Sequence, residues 1–190
     1  VQLEFSYLIY SDVVQNQGQY NWAVVDDLLA TAASRGRQVI LRFRYTYPGV
    51  TSPSVPNYVR NSSGYNDRTV NVEGAATYVP DWSSTALQAF TLEFFTNFAA
   101  RYDNDPRIAV AQIGFGSYSE YHLYDGPFAL GDTFPSKAYQ TTFLNHIDAA
   151  FNELQWSVSI DAADGGNTPF AASSALKDLS FGLFDDSFLH

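Results

Sequence analysis

The sequence predicts an α/β fold of the (β/α)8 TIM-barrel kind, with only part of the barrel present. Three observations carry this expectation. Strand-like and helix-like segments alternate along the chain, an order that yields parallel strands joined by helical crossovers. The first strand-to-helix turn, SDVVQNQG, lacks the glycine pattern with which a doubly wound sheet cradles a nucleotide. Polar groups also stand where strands end: Arg42 and Arg44, Glu120, Asp161, and Asp185 with Asp186. At 190 residues the chain is shorter than the roughly 250 that a whole barrel takes, so an incomplete barrel in a single domain over 1–190 is expected.

The first element, VQLEFSYLIY, is rich in β-branched and aromatic residues and reads as a strand over 1–9. Trp22, Val25, Leu28, Leu29 and Ala32 recur at helical spacing within 20–35, where Asn21 is a candidate cap and Gly36 a stop. QVILRFRY gives a strand over 38–45. Residues 46–82 hold four of the eight prolines and read as a long irregular loop, a kind of segment that is usually functional. Leu87, Phe90, Phe94 and Phe98 line a helix over 84–101, capped by Ser83 or Ser84 and ended by DNDP. IAVAQIGF is a strand over 108–115, and Tyr139, Phe143, Ile147 and Phe151 mark a helix within 136–154. WSVSID (156–161) and LSFGLF (179–184) complete the strands, with a short helix expected over 170–176.

Composition narrows the function. The chain is 46% hydrophobic and 16% charged, as folded globular proteins are. A net charge of -10 repels phosphate backbones and argues against a nucleic-acid partner. No apolar run is long enough to span a membrane. With no cysteine, disulfides and thiolate chemistry are excluded. The 13 Tyr and 3 Trp suit a surface that meets sugar rings, while packing between sheet and helices accounts for most of the 15 Phe.

The stretch GFGSYSEYH (114–122) is the most informative. A strand runs straight into it, its glycines permit close backbone approach, and Glu120 falls where barrel enzymes keep a catalytic carboxylate. The bland alternative is a solvated loop glutamate. Tyr118, Tyr121 and His122 surround Glu120 in sequence. Arg42 and Arg44 share one strand face, where Glu4 of the neighbouring strand is a candidate ion-pair partner for Arg42. Arg44, nearer the strand end with Tyr45, is the better ligand candidate. Asp161, Asp185 and Asp186 can hold sugar hydroxyls or cap the helices that follow them. Trp82 can stack on a sugar or plug the barrel rim. No phosphate loop, GxSxG elbow or metal-ligand spacing of histidines is present, so neither cofactor nor metal is expected.

Together LEFSYLIYSDVV, YNWAVVDDLLATAASRGRQVILRFRYTYPG, VPDWSS and above all RYDNDPRIAVAQIGFGSYSEYH resemble bacterial glycoside-hydrolase-like barrels of the β-galactosidase-like type, which carry a domain of unknown function. In the wider retaining clan the acid/base glutamate follows the fourth barrel strand and the nucleophile the seventh. The resemblance therefore implies that Glu120 is the acid/base and that barrel strands two to six are present. It further implies that strand one precedes Val1 and that strands seven and eight, with the nucleophile, follow His190. The clan usually has Asn before the acid/base, holding the sugar 2-hydroxyl, where this chain has Ser119. Two expectations follow: a secreted or periplasmic bacterial glycosidase acting on a plant or algal carbohydrate, or a non-catalytic carbohydrate-binding barrel.

Overall fold

The computed structural model describes residues 2–163, 166–170 and 174–185. In chain order the elements are β1 (Gln2–Ile9), α1 (Tyr10–Val13), β2 (Val14–Asn16), β3 (Gln19–Tyr20), α2 (Ala23–Ser34), β4 (Arg37–Arg44), α3 (Asn57–Arg60), β5 (Arg68–Val72), β6 (Ala75–Val79), α4 (Thr85–Tyr102), β7 (Ile108–Ile113), α5 (Lys137–Ala150), β8 (Trp156–Ser159) and β9 (Gly182–Phe184). Single 3-10 turns follow β8, at Ile160–Ala163, and precede β9, at Ala175–Asp178. The expected helix over 170–176 is in part this second turn; Ala171, Ala172 and Ser173 lie outside the described residues.

The central sheet runs β1-β4-β7-β8-β9 with every pairing parallel. Its spatial order is its chain order, so there is no point at which the winding reverses, as there is in a doubly wound sheet. The helices cover one face. Phe43 of β4 meets Phe94 and Phe98 of α4 at 4.8 and 5.5 Å, Phe115 beyond β7 meets Phe143 of α5 at 4.9 Å, and Trp22 before α2 meets Tyr102 at 5.6 Å. Strand register then fixes the other face. Tyr7 pairs with Arg42, Arg42 with Gln112, Gln112 with Ser157 and Ser157 with Gly182. Side chains alternate along a strand, so Leu3, Phe5, Tyr7, Arg42, Arg44, Gln112, Ser157, Ser159 and Phe184 share the helix-free face. At the two edge strands this arc exposes apolar groups, Leu3 and Phe5 on β1 and Leu183 on β9.

Ser84 and Ser136 cap α4 and α5, accepting from the backbone N–H of Leu87 and Tyr139. Asn21 does not cap α2. Trp22 holds that position without a side-chain bond, and the Asn21 N–H donates to the Val13 carbonyl. The segment over 46–82 is not structureless, because it contains α3 and the antiparallel hairpin β5–β6. The hairpin turns at Glu73 and Gly74, both with positive φ (52° and 77°), as a two-residue turn of this hand requires.

Asp103, which closes α4, accepts from the backbone N–H groups of Asn152, Glu153 and Leu154 at 2.9, 3.1 and 3.0 Å and so ties α4 to the approach of β8. Burial raises its carboxyl pKa, but the three donors together outweigh burial and hold it below its ordinary value. A depressed carboxylate contributes stability that is present above its unfolded pKa and lost as pH falls through the folded one. Asp103→Ala is expected to lower unfolding free energy by about 1–2 kcal/mol at pH 7, partial exposure limiting the effect. The gap to the parent should narrow below about pH 4, as urea melts at pH 7 and pH 3 will show.

Candidate functional site

The loop after β7 is a tight ring closed on itself. A Cβ at Gly114 would lie 1.8 Å from the Ser119 carbonyl oxygen, and one at Gly116 2.0 Å from that of His122, so only glycine fits either place. Tyr118 and Ser119 both take left-handed backbone, with φ of 58° and 59°. Backbone bonds close the ring, the N–H of Gly116 donating to Glu120 at 2.8 Å and that of Ser117 to His122 at 2.9 Å. The ring is fastened to the end of β4, because the Tyr118 N–H donates to Thr46 and the Ser119 hydroxyl to the Phe43 carbonyl. These constraints hold the backbone of Glu120 at the mouth of the parallel sheet.

The Glu120 carboxylate is gripped at both oxygens. Oε1 accepts from Arg42 Nη1 at 3.4 Å, and Oε2 lies 2.6 Å from His122 Nε2. Arg42 is fully buried. It also donates to the Gln112 side chain and to the Tyr118 carbonyl, and lies against the rings of Phe5 and Phe184 at 4.8 and 4.3 Å. His122 stacks on Tyr124 at 3.7 Å, while its Nδ1 is buried with no hydrogen-bond partner among the described residues. A proton there would be an unsatisfied buried donor, so the neutral ring carries it on Nε2 and donates to Glu120.

A cavity of about 450 Å³ opens at this point. Of the residues expected at the site, Tyr118, Glu120, His122, Asp161 and Asp185 line it. Asp161 accepts from the Tyr124 hydroxyl and from Ser159 Oγ, both at 3.3 Å. Asp186 lies outside the described residues.

Three expectations are corrected. Trp82 is fully buried against Tyr45, Phe115 and Tyr139, so it plugs the space between sheet and helices and offers no face to a sugar. Tyr45 stacks on Tyr10 at 4.2 Å and shares a hydrogen bond with Thr91. Its odd place on the strand turns it to the helices, and burial raises its pKa well above the ordinary value. Arg42 makes a buried ion pair as expected, though not with Glu4, and Arg44 does not line the cavity. Arg42 holds Glu120, while Glu4 pairs with Arg35 and Arg37, because Glu4 stands opposite Val39 and faces the helix side. Arg44 is half-buried behind the cavity on the rings of Tyr47 (4.7 Å) and Tyr7 (5.9 Å). Burial lowers its pKa, and no carboxylate among the described residues is within ion-pair distance of it.

The segment 46–82 was expected to bring Trp82 or one of its tyrosines to this mouth, and Tyr47 is there; sequence reasoning missed Tyr7, Tyr124 and Glu73, which also line the cavity. Glu73, at the hairpin tip, accepts from the Tyr118 hydroxyl at 3.1 Å, and its N–H donates to the Tyr124 carbonyl at 3.1 Å. Burial, and then Glu73, push the Tyr118 phenol up to about 12; burial, and then Asp161, raise that of Tyr124. Both tyrosines therefore stay protonated donors at neutral pH. The wall carries four carboxylates, Glu73, Glu120, Asp161 and Asp185, a field that favours neutral polyhydroxylated ligands over anionic ones.

No protein-family model and no curated protein matches the chain. Among solved structures it is similar to endo-glycoceramidase II from Rhodococcus sp. in a cellobiose-like isofagomine complex, at 15% identity and TM-score 0.52 over 83% of this chain and 41% of that one. It is also similar to a β-galactosidase from the psychrophilic Marinomonas ef1, at 13% identity and TM-score 0.53 over 84% of this chain and 33% of that one. A third is GH5_18 from Streptomyces cattleya with Manβ1-4GlcNAc, at 12% identity and TM-score 0.53 over 88% of this chain and 38% of that one. The chain spans less than half the length of each. At such identities the likeness is one of fold: the chain has an α/β architecture with a parallel, TIM-barrel-like sheet, as these structures have.

Proposed function

We propose that this chain is the acid/base portion of a retaining glycoside hydrolase acting on a neutral plant or algal poly- or oligosaccharide. The observation that carries the reading is Glu120, held between Arg42 and His122 in the wall of a tyrosine-lined cavity at the strand ends. Glu120 protonates the glycosidic oxygen and later takes a proton from water, with His122 in contact at the same oxygen. The tyrosines and Asp161 orient sugar hydroxyls. The nucleophile, with barrel strands one, seven and eight, belongs to polypeptide outside these residues. The 33–41% coverage of the glycosidase structures supports that division. Export from a bacterial cell fits such a substrate.

Ser119 favours a second reading, a barrel that binds sugar without cleaving it. Its hydroxyl is buried and turned to the Phe43 carbonyl, so nothing at this place reaches a sugar 2-hydroxyl. The full-length protein should be assayed on aryl β-glycosides and on galactan, mannan and algal polysaccharides. Release of reducing sugar is the expected result. Saturable binding without release on any of them assigns the barrel to carbohydrate binding alone.

A further inference from the structure

We propose that Glu120, His122 and Asp161 form a binding site for a divalent cation of the zinc class, and that the cation switches the centre off. One ligand atom from each residue lies within 4.8 Å of the other two. The sequence hides this grouping, because Asp161 arrives from the next strand of the sheet. One imidazole nitrogen and two carboxylates are donors that Zn²⁺ and Co²⁺ accept, and the open side of the cavity leaves positions for water or a sugar hydroxyl.

The second observation is how the donors are held. Metal-binding side chains are ordinarily oriented by outer hydrogen bonds and packing. Here Arg42 holds Glu120 Oε1, Tyr124 and Ser159 hold the two oxygens of Asp161, and the Tyr124 ring lies flat on His122, itself only 7% exposed. His122 Nε2 is thus aimed into the group. A cation between Nε2 and Glu120 Oε2 replaces their 2.6 Å hydrogen bond with two coordination bonds and moves the atoms apart. The imidazole proton then moves to Nδ1, which is buried and has no acceptor among the described residues. That loss weakens binding by roughly ten- to hundredfold relative to a site with an acceptor there, as suits a reversible occupant.

Binding rests on the geometry alone; inhibition rests also on the proton-transfer role proposed for Glu120, because a coordinated carboxylate neither gives nor takes a proton. The two are read separately. The full-length protein is titrated with Zn²⁺ by calorimetry and with Co²⁺ by visible absorption, beside Glu120→Gln, His122→Gln and Asp161→Asn, each checked for folding by circular dichroism. One equivalent is expected to bind. Each variant should weaken it at least about tenfold, while Glu73→Gln, which removes a charge from the same cavity but no ligand, should change it less than about threefold. Absence of saturable binding at millimolar cation overturns the site. So does binding that all three variants leave unchanged, or that Glu73→Gln weakens as much as Asp161→Asn. Binding that persists while glycoside turnover is unaffected overturns the switch and the role of Glu120, and leaves the metal site standing.

Discussion

Glu120→Gln is expected to lower kcat on an active glycoside by roughly 10²- to 10⁴-fold, the range that one positioned acid/base group supplies. The amide keeps the shape of the side chain and can still accept from Arg42 through its oxygen. It cannot hold a transferable proton. The loss should be least on substrates whose leaving groups are good enough to depart unprotonated, such as dinitrophenyl glycosides, and greatest on natural sugars. A uniform loss across leaving groups would point to altered binding instead. Michaelis–Menten kinetics on a leaving-group series makes the distinction.

Arg42→Met is expected to destabilise the fold by about 3 kcal/mol, lowering Tm by roughly 6–12 °C in a chain of this size. The methionine fills the space between Phe5 and Phe184 but leaves Gln112 and Glu120 without their shared partner. Arg42→Lys keeps a charge and loses the fork, so it should recover only part of the stability. Differential scanning calorimetry gives both values. Arg44→Met should cost far less, because Arg44 meets tyrosine faces rather than a carboxylate.

How much of this was legible depended on the reach of each signal. The five strands are visible because each is a run of apolar or alternating residues between breakers, and their order alone leads to parallel strands; that the helices take one face rested on the missing glycine pattern and the polar strand ends. That Arg42 and Arg44 share a face is equally visible, since it needs only the period of a strand. Which partner each meets depends on register with β1 and on the path of the loop after β7. Neither is local, and the expected partner Glu4 turned out to face away. Trp82 shows the same limit: an aromatic beside a helix start reads alike whether it faces solvent or core. The hairpin within 46–82 had a faint signal, TVNV and AATYV either side of Glu-Gly. Glutamate is a poor former of that turn, so the segment read as loop. Glu120 was readable because two glycines and a strand frame it. Tyr7 was not, because its place opposite Arg42 depends on the register of β1 with β4.

The β5–β6 hairpin sends Tyr78 into the main core, while its Val72 and Val79 form a smaller apolar cluster with Leu123 of the loop after β7. Its tip meets the site through the Glu73 contacts to Tyr118 and Tyr124. Its turn is therefore an exchangeable part: the tip sequence can vary while the buried strand positions, the ring after β7 and the grip on Glu120 stay as they are. Selection on what the cavity accepts can act on this turn independently of selection on folding, and relatives that differ in ligand preference should differ first around residues 73 and 74.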